Sequence, residues 1–367
     1  MIGQGVAVID TPALVVDLEA MERNLAAMAA FARERGLRLR PHAKMHKSAW
    51  IAQQQIECGA VGVCVQKTSE AEALAAQGVR DIFITNEVID QAKLARVAAL
   101  ARKVTLSIAV DSVFGIEHLA AALRAADATL ALFVEIDVGH GRCGAPPAEA
   151  GALARRARDC GLPLAGLQAY HGRAQHLRTI LERSAAIEGA AAAVRVALAA
   201  LTREGLACPL VSGAGSGSFV LEAASGLWGE LQCGSYVFMD RDYADNESLP
   251  GAPRFEHALF VKSQVISRSA EHAVVDAGHK SHAVDSGLPG LWRRDGLVFA
   301  NGGDEHGIVK RHERGARLPD LGDTVWLVPG HCDPTVNLHD TMVGLRGGLE
   351  RGVVERLIAV DARGCLT

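Results

Sequence analysis

The chain has 367 residues, with 38 Lys+Arg against 42 Asp+Glu and a formal net charge of −4. Apolar residues make up 49% and charged residues 22%, as in soluble globular proteins, and the charge balance gives no electrostatic footing for nucleic acid or an anionic membrane. The length suffices for a full core and favours two domains, while collagen-like, disordered and disulfide-framed classes are excluded. The longest apolar stretch, Ala185 to Leu201, is interrupted by Glu188 and Arg195, so it offers no uncharged bilayer span of roughly 20 residues. The N-terminus lacks the basic-then-apolar order of a signal peptide. The eight cysteines form no C-x-x-C pair, which points to reduced thiols and a cytoplasmic enzyme.

In chain order, Pro12–Leu18 reads as a strand and Ala20–Arg35 as an amphipathic helix. Eight β-rich runs follow: Leu37–Arg40, Val61–Val65, Asp81–Thr85, Val104–Val110, Leu130–Asp137, Leu164–Tyr170, Leu210–Ser212 and Glu230–Cys233. Helical patterns separate them at Ser69–Gln77, Asp90–Ala101, Val113–Ala126, Ala148–Asp159 and Leu177–Glu204, several closed by a glycine (Gly78, Gly161, Gly205), with Ser69 and Asp111 as candidate N-caps. Eight strands alternating with helices predict an α/β fold, a closed (β/α)8 TIM barrel, with an open doubly wound sheet as the alternative. After about Pro253 the texture changes to short strands, at Ala258–Ser267, His272–Asp276, Thr324–Leu327 and Val353–Ala359. This predicts a barrel over residues 12–254 and a second, mostly antiparallel β domain from residues 1–11 and 255–367.

The unusual residues fall where a barrel places its active site, at the C-terminal strand ends. Strand one runs into Pro41-His42-Ala43-Lys44, strand two into Gln66, strand five into Asp137…Gly141-Arg142-Cys143-Gly144, and strand six into Tyr170-His171-Gly172. Strand seven ends in Ser212-Gly213-Ala214-Gly215-Ser216-Gly217-Ser218, and strand eight in Gly234-Ser235-Tyr236. Small residues that free backbone N–H groups on these last two loops suit a phosphate. A lysine at the end of strand one, facing that phosphate, suggests pyridoxal phosphate, whose aldehyde needs an amine. A tight turn and a surface lysine are the structural alternatives.

In the second domain His331-Cys332-Asp333 follows a strand. If the segment is extended, His331 and Asp333 share a face and Cys332 points away. One imidazole and one carboxylate suit a divalent cation, Mn²⁺ or Mg²⁺ rather than Zn²⁺. A turn histidine beside a capping aspartate is the alternative. His306 is a further loop histidine able to enter the same cleft, while His339 and Asp340 read as structural.

Taken together, Pro41-His42-Ala43-Lys44, Asp137…Gly144, Gln168-Ala169-Tyr170-His171-Gly172, Glu230-Leu231-Gln232-Cys233-Gly234-Ser235-Tyr236, Asp304-Glu305-His306-Gly307 and His331-Cys332-Asp333-Pro334-Thr335 resemble the D-threonine aldolase and 3-hydroxy-D-aspartate aldolase family, alanine-racemase-like enzymes that use pyridoxal phosphate. The resemblance covers nearly the whole chain and implies a homodimer with its site where the domains meet. It implies that Lys44 is the Schiff-base lysine and that Arg142 lies near the phenolic oxygen. Tyr170 would sit beside the ring, Gln232 would face the ring nitrogen where racemases carry an arginine, and Ser212, Gly213, Gly215, Ser216, Gly234, Ser235 and Tyr236 would border the phosphate. The expected reaction is retro-aldol cleavage of a D-β-hydroxy-α-amino acid to glycine and an aldehyde, with a metal-bound hydroxide or a histidine, His171 or His176, as the candidate base. The alternatives are a Zn²⁺-dependent dehydratase of D-serine or D-3-hydroxyaspartate and a non-catalytic cofactor carrier. Lys44–Ser48 and Val284–Pro289 look closer to the 3-hydroxyaspartate-cleaving branch, with Arg142 or Arg311 as a possible clamp for a second carboxylate.

Overall fold

The computed structural model describes residues 1–367. The first strand, β1 (Ala13–Asp17), leads into a helix over Leu18–Glu34, whose N-cap Asp17 accepts the Ala20 N–H. Eight short strands follow: β2 (Arg38–Leu39), β3 (Val63–Val65), β4 (Asp81–Ile84), β5 (Thr105–Val110), β6 (Ala131–Glu135), β7 (Leu164–Ala169), β8 (Val211–Gly213) and β9 (Glu230–Leu231). They pair in parallel in the order β2-β9-β8-β7-β6-β5-β4-β3, and a parallel bridge from His42 to Cys64 joins the two ends. The sheet is therefore a closed barrel, and the open-sheet alternative is discarded. Cys64, Phe83, Ala109 and Phe133 fill its interior, with the Phe83 and Phe133 rings stacked at 4.4 Å.

Ser112, not Asp111, caps Val113–Ala126, accepting the Gly115 N–H at 3.2 Å. Asp111 instead accepts the Gly144 N–H at 3.2 Å and ties two barrel loops together. Ser69 lies inside the first turn of Thr68–Ala76, whose preceding N–H groups are taken by Glu70. The long helix Ile180–Arg203 is apolar enough by length and composition to cross a bilayer, but it buries Ile187, Ala190, Ala191, Val194, Ala197 and Leu201 against the barrel. Two helices that the sequence pattern did not separate, Ala49–Glu57 and Phe219–Ser225, complete the outer layer.

The second sheet takes β10 (Leu259–Arg268), β11 (His272–Val275), β12 (Gly290–Leu291), β13 (Leu297–Asn301), β14 (Gly307–Arg311), β15 (Thr324–Val328), β16 (Thr341–Arg346) and β17 (Val353–Ala359). Its main order is β13-β14-β11-β10-β1-β16-β17, with β15 beside β10 and β12. The N-terminal share of this sheet therefore runs through Asp17 rather than stopping at residue 11: β1 is antiparallel to β10 and parallel to β16. One apolar cluster spans both domains, joining Leu18, Met21, Leu25 and Met45 to Leu259, Val261, Leu327 and Cys332.

The loop between β8 and Phe219–Ser225 is fixed by buried polar groups. Gln175 accepts the Gly217 N–H at 2.9 Å and donates to Ser218 Oγ at 2.7 Å, and Ser218 Oγ donates to Glu222 Oε1 at 2.8 Å. Glu222 Oε2 has no partner, and burial pushes this carboxyl up to about 7 from its ordinary 4.5. The fold holds the neutral acid, which ionises on unfolding. Its stabilisation is complete below the ordinary value and is lost as pH rises through 7. From pH 5 to 8, Glu222→Gln should therefore spare the protein a loss of about 1–3 kcal/mol that the native chain suffers. Denaturation midpoints that change in parallel for the two proteins would contradict this.

Two glycines make a second test. At Gly166 in β7 (φ +154°) a Cβ would stand 1.8 Å from the Leu210 carbonyl oxygen, whereas Gly189 lies exposed within Ile180–Arg203 with open space around it. Gly166→Ala should lower the denaturation midpoint by the equivalent of about 3 kcal/mol or more. Gly189→Ala should raise stability by about 0.5–1 kcal/mol, through lower backbone entropy in the unfolded chain and better helix propensity.

Candidate active site

The loop after β2 becomes a 3-10 turn, Ala43–Met45, because the His42 ring accepts the Lys44 N–H. Met45 is buried in the cluster shared by the two domains, so its neighbour Lys44 is turned out into a cleft of about 400 Å³. Cys332, next to Asp333, is buried in that same cluster. The segment carrying it is not extended: His331 caps a short helix, Cys332–Val336. The helical turn, not strand alternation, brings His331 and Asp333 to one side.

Lys44 Nζ lies 3.0 Å from Asp333 Oδ2, and Asp333 Oδ1 lies 3.6 Å from His331 Nε2. The Lys44 side chain is 43% exposed, towards the cleft. The Asp333 charge raises the Lys44 ammonium above its ordinary value, against burial. Burial works to raise the Asp333 carboxyl, but the Lys44 and His331 charges hold it below the carboxylate range. Burial also opposes the His331 imidazolium, and the Asp240 hydrogen bond with the Asp333 and Asp240 charges outweighs it, pushing His331 up to about 9. Asp240 Oδ2 accepts both His331 Nδ1–H at 2.8 Å and the Cys332 N–H at 2.9 Å. The Asp240, His331 and Cys332 ligand atoms come within 4.8 Å of one another, yet Asp240 and Cys332 are buried and only His331 of the three lines the cleft. The pair that can present a cation to the cleft is His331 Nε2 with Asp333.

On the barrel side the cleft is lined by Gln66, Arg142, Tyr170, His176, Gly215, Ser216, Gln232, Gly234 and Ser235, all expected from the sequence. The backbone N–H groups of Gly215, Ser216, Gly234 and Ser235 find no acceptor within the chain, which makes them an anion cradle. The residues present therefore fit pyridoxal phosphate: neutral donors for a phosphate, an amine for the aldehyde, and an uncharged floor. Gln232 Nε2 donates to Gln168 Oε1 at 2.7 Å and to Ser212 Oγ at 2.8 Å, and Ser212 Oγ donates to the buried Glu230 at 2.7 Å.

Four expected site residues stand behind the cleft wall. Ser212 and Gly213 are buried beneath it, where a Cβ on Gly213 would meet the Ala169 carbonyl oxygen at 2.3 Å. Tyr236 turns its ring into the core, where its hydroxyl accepts from Gln55 at 3.4 Å; only its N–H serves the loop, donating to Ser216 Oγ at 3.0 Å. His171 is buried, its ring stacked 6.3 Å from that of His140, which takes the cleft position. His306 and Arg311 belong to the exposed β13–β14 region outside the cleft. His339 Nε2–H donates to the Ser281 carbonyl at 2.9 Å.

The structure also shows what holds His176 and which further residues line the cleft. His176 Nδ1 is bonded to Asp242 at 2.6 Å, and its ring lies 6.5 Å from His331. Burial would raise Asp242, but the hydrogen bonds from His176 and Arg178 hold it near 2. Thr85, His140, Gln168, Arg173 and Tyr243 also line the cleft. Three residues past Lys44, Lys47 is buried with φ +50° and pairs with Glu70 at 3.0 Å. Its Nζ also donates to the Ala362 and Cys365 carbonyls at 3.3 and 3.5 Å, and its own carbonyl accepts the Ala362 N–H at 3.0 Å.

Residues 16–242 match the family described as "Alanine racemase, N-terminal domain", and residues 258–345 match "Putative serine dehydratase domain". The chain is 46% identical to a D-threonine aldolase of Arthrobacter sp over 99% of its own length and 95% of that protein. It is 44% identical to a 3-hydroxy-D-aspartate aldolase of Paracoccus denitrificans, covering 97% and 92% of the two chains. The solved structure of D-threonine aldolase from Filomicrobium marinum superposes with a TM-score of 0.97 at 45% identity, covering 100% of this chain and 99% of that one. A D-threo-3-hydroxyaspartate dehydratase from Delftia sp. HT23 is more distant, with 27% identity and a TM-score of 0.87 over 97% and 98% of the two chains. With both domains matched in order along its length, the chain belongs to the D-threonine aldolase and 3-hydroxy-D-aspartate aldolase family of pyridoxal-phosphate-dependent carbon–carbon lyases.

Proposed function

We propose that this protein cleaves the Cα–Cβ bond of D-β-hydroxy-α-amino acids to glycine and an aldehyde. The observation that carries the reading is the run of three groups in one cleft, Lys44 Nζ to Asp333 at 3.0 Å and Asp333 to His331 Nε2 at 3.6 Å. Gly215, Ser216, Gly234 and Ser235 would hold the phosphate of pyridoxal phosphate, Lys44 its aldehyde carbon, and Arg142 and Tyr170 the flanks of its ring. Bound there, the cofactor supplies the electron sink for a carbanion at Cα. His331 and Asp333 would hold a divalent cation that polarises the β-hydroxyl, and one imidazole with one carboxylate favours Mn²⁺ or Mg²⁺.

The chain's own groups do the rest. Asp240 accepts the His331 Nδ1 proton and orients the ring, so that a bound cation would take Nε2 in place of its proton. His176, held through Nδ1 by Asp242, offers its other nitrogen to the β-hydroxyl proton, and the Asp242 carboxylate stabilises the imidazolium that results. His176 is preferred to His171 as base because it lines the cleft. Lys44 Nζ is placed to return a proton to Cα. Cys332 is buried, so the ligand two residues after His331 is Asp333, which favours aldol cleavage over a dehydratase built on a Zn²⁺–thiolate pair. The working unit is read as a cytoplasmic homodimer, in line with the resemblance, and light scattering should return twice the chain mass.

With pyridoxal phosphate and Mn²⁺ the protein should release glycine from D-threonine, D-phenylserine or D-3-hydroxyaspartate. EDTA should stop the reaction and Mn²⁺ restore it better than Zn²⁺. Ammonia and a 2-oxo acid in place of glycine would overturn the reading. Lys44→Ala should abolish cleavage. Asp240→Asn should weaken Mn²⁺ binding by about 10- to 100-fold in a calorimetric titration, by loosening the His331 ring.

A further inference from the structure

Asp333 is the one carboxylate lining the cleft, where it faces Lys44, Arg142 and Arg173 together with four histidines. It is already engaged by Lys44 at 3.0 Å and His331 at 3.6 Å. The phosphate cradle, built from glycine and serine, consumes none of the cations. With Asp333 taken by Lys44 and His331, the two guanidinium groups that line the cleft, Arg142 and Arg173, are left without it.

The two guanidinium groups differ in their surroundings. Arg142 stands near the buried carboxyl of Glu135, which its charge stabilises. Arg173 is exposed on the turn Gly172–His176, and the neighbours it acts on are His140 and His171, whose imidazolium forms it disfavours. It makes no ion pair. The same turn carries His176, whose ring is 6.5 Å from that of His331. A substrate whose β-hydroxyl is drawn to His331 and Asp333 carries its other Cβ substituent in the same cleft, which Arg173 also lines from the turn that bears His176.

We propose that Arg173 determines specificity by holding the second carboxylate of a dicarboxylic substrate, a D-3-hydroxyaspartate, through the planar fork of its guanidinium. This rests on the aldolase reading above. Cleavage leaves the Cα–Cβ electron pair on Cα, moves the hydroxyl proton there, and yields glycine and glyoxylate, so the carboxylate held by Arg173 leaves with the aldehyde.

The test compares the native holoenzyme, Arg173→Met and Arg173→Lys, each loaded with pyridoxal phosphate and Mn²⁺, on D-3-hydroxyaspartate and on D-threonine. Arg173→Met should lose about 10- to 100-fold in kcat/KM on the dicarboxylate, mainly through KM, and stay within about threefold on D-threonine. Arg173→Lys, which keeps the charge but not the fork, should fall between. Equal losses on both substrates, or no loss on the dicarboxylate, would overturn the assignment. A native enzyme that cleaves D-threonine but not D-3-hydroxyaspartate sinks this proposal alone. One that releases glycine from neither sinks the aldolase reading with it.

Discussion

The contact between Lys44 and Asp333 joins groups that neither domain could bring together by itself. The barrel supplies an amine and an anion cradle, and the antiparallel sheet supplies a carboxylate and an imidazole. What fixes their spacing is apolar. Met45 beside Lys44 and Cys332 beside Asp333 are buried in one cluster, so the two polar groups are held by neighbours that cannot leave the core without exposing it. Strand β1 makes the junction rigid: it lies between β10 and β16 of the sheet and passes directly into the helix Leu18–Glu34 that packs below the barrel.

The eight barrel strands and the change of texture after Pro253 were legible in the sequence because both periodicities are strong there. The hairpin β13–β14 was not, since Leu297–Asn301 is a half-exposed edge strand and Gly307–Arg311 beside it also lacks a continuous apolar run; strand β16, interrupted by Gly344, was missed as well. Lys44, His331 and Asp333 could be picked out by residue type and place. The physical reason given for the last two, an extended strand, was not the one that operates, because a proline-containing turn of helix follows His331. Asp240 and Asp242 left no readable signal: an aspartate matters there only through histidines roughly 90 and 66 positions away in the chain. Tyr236 shows the reverse case, a residue in a motif whose side chain belongs to the core.

Charge in the cleft is distributed unevenly. Its floor is the neutral pair Gln168 and Gln232, which Ser212 links to the buried Glu230 and Arg40. Its rim is cationic. If the cofactor's ring nitrogen faces Gln232, as the resemblance implies, these amides would not force it into its protonated form. In the proposed reaction, activation of the bond would then be shared with a cation on His331 and Asp333, which would suit chemistry at Cβ better than proton exchange at Cα alone.

The bonds from Lys47 to Ala362 and Cys365 span up to 318 positions of sequence. A nascent chain emerging from the ribosome can build most of the barrel long before the segment that steadies its lysine loop has been translated. The bonds that steady the Lys47 turn can therefore form only once residues 362–365 have been made and the sheet has docked on the barrel.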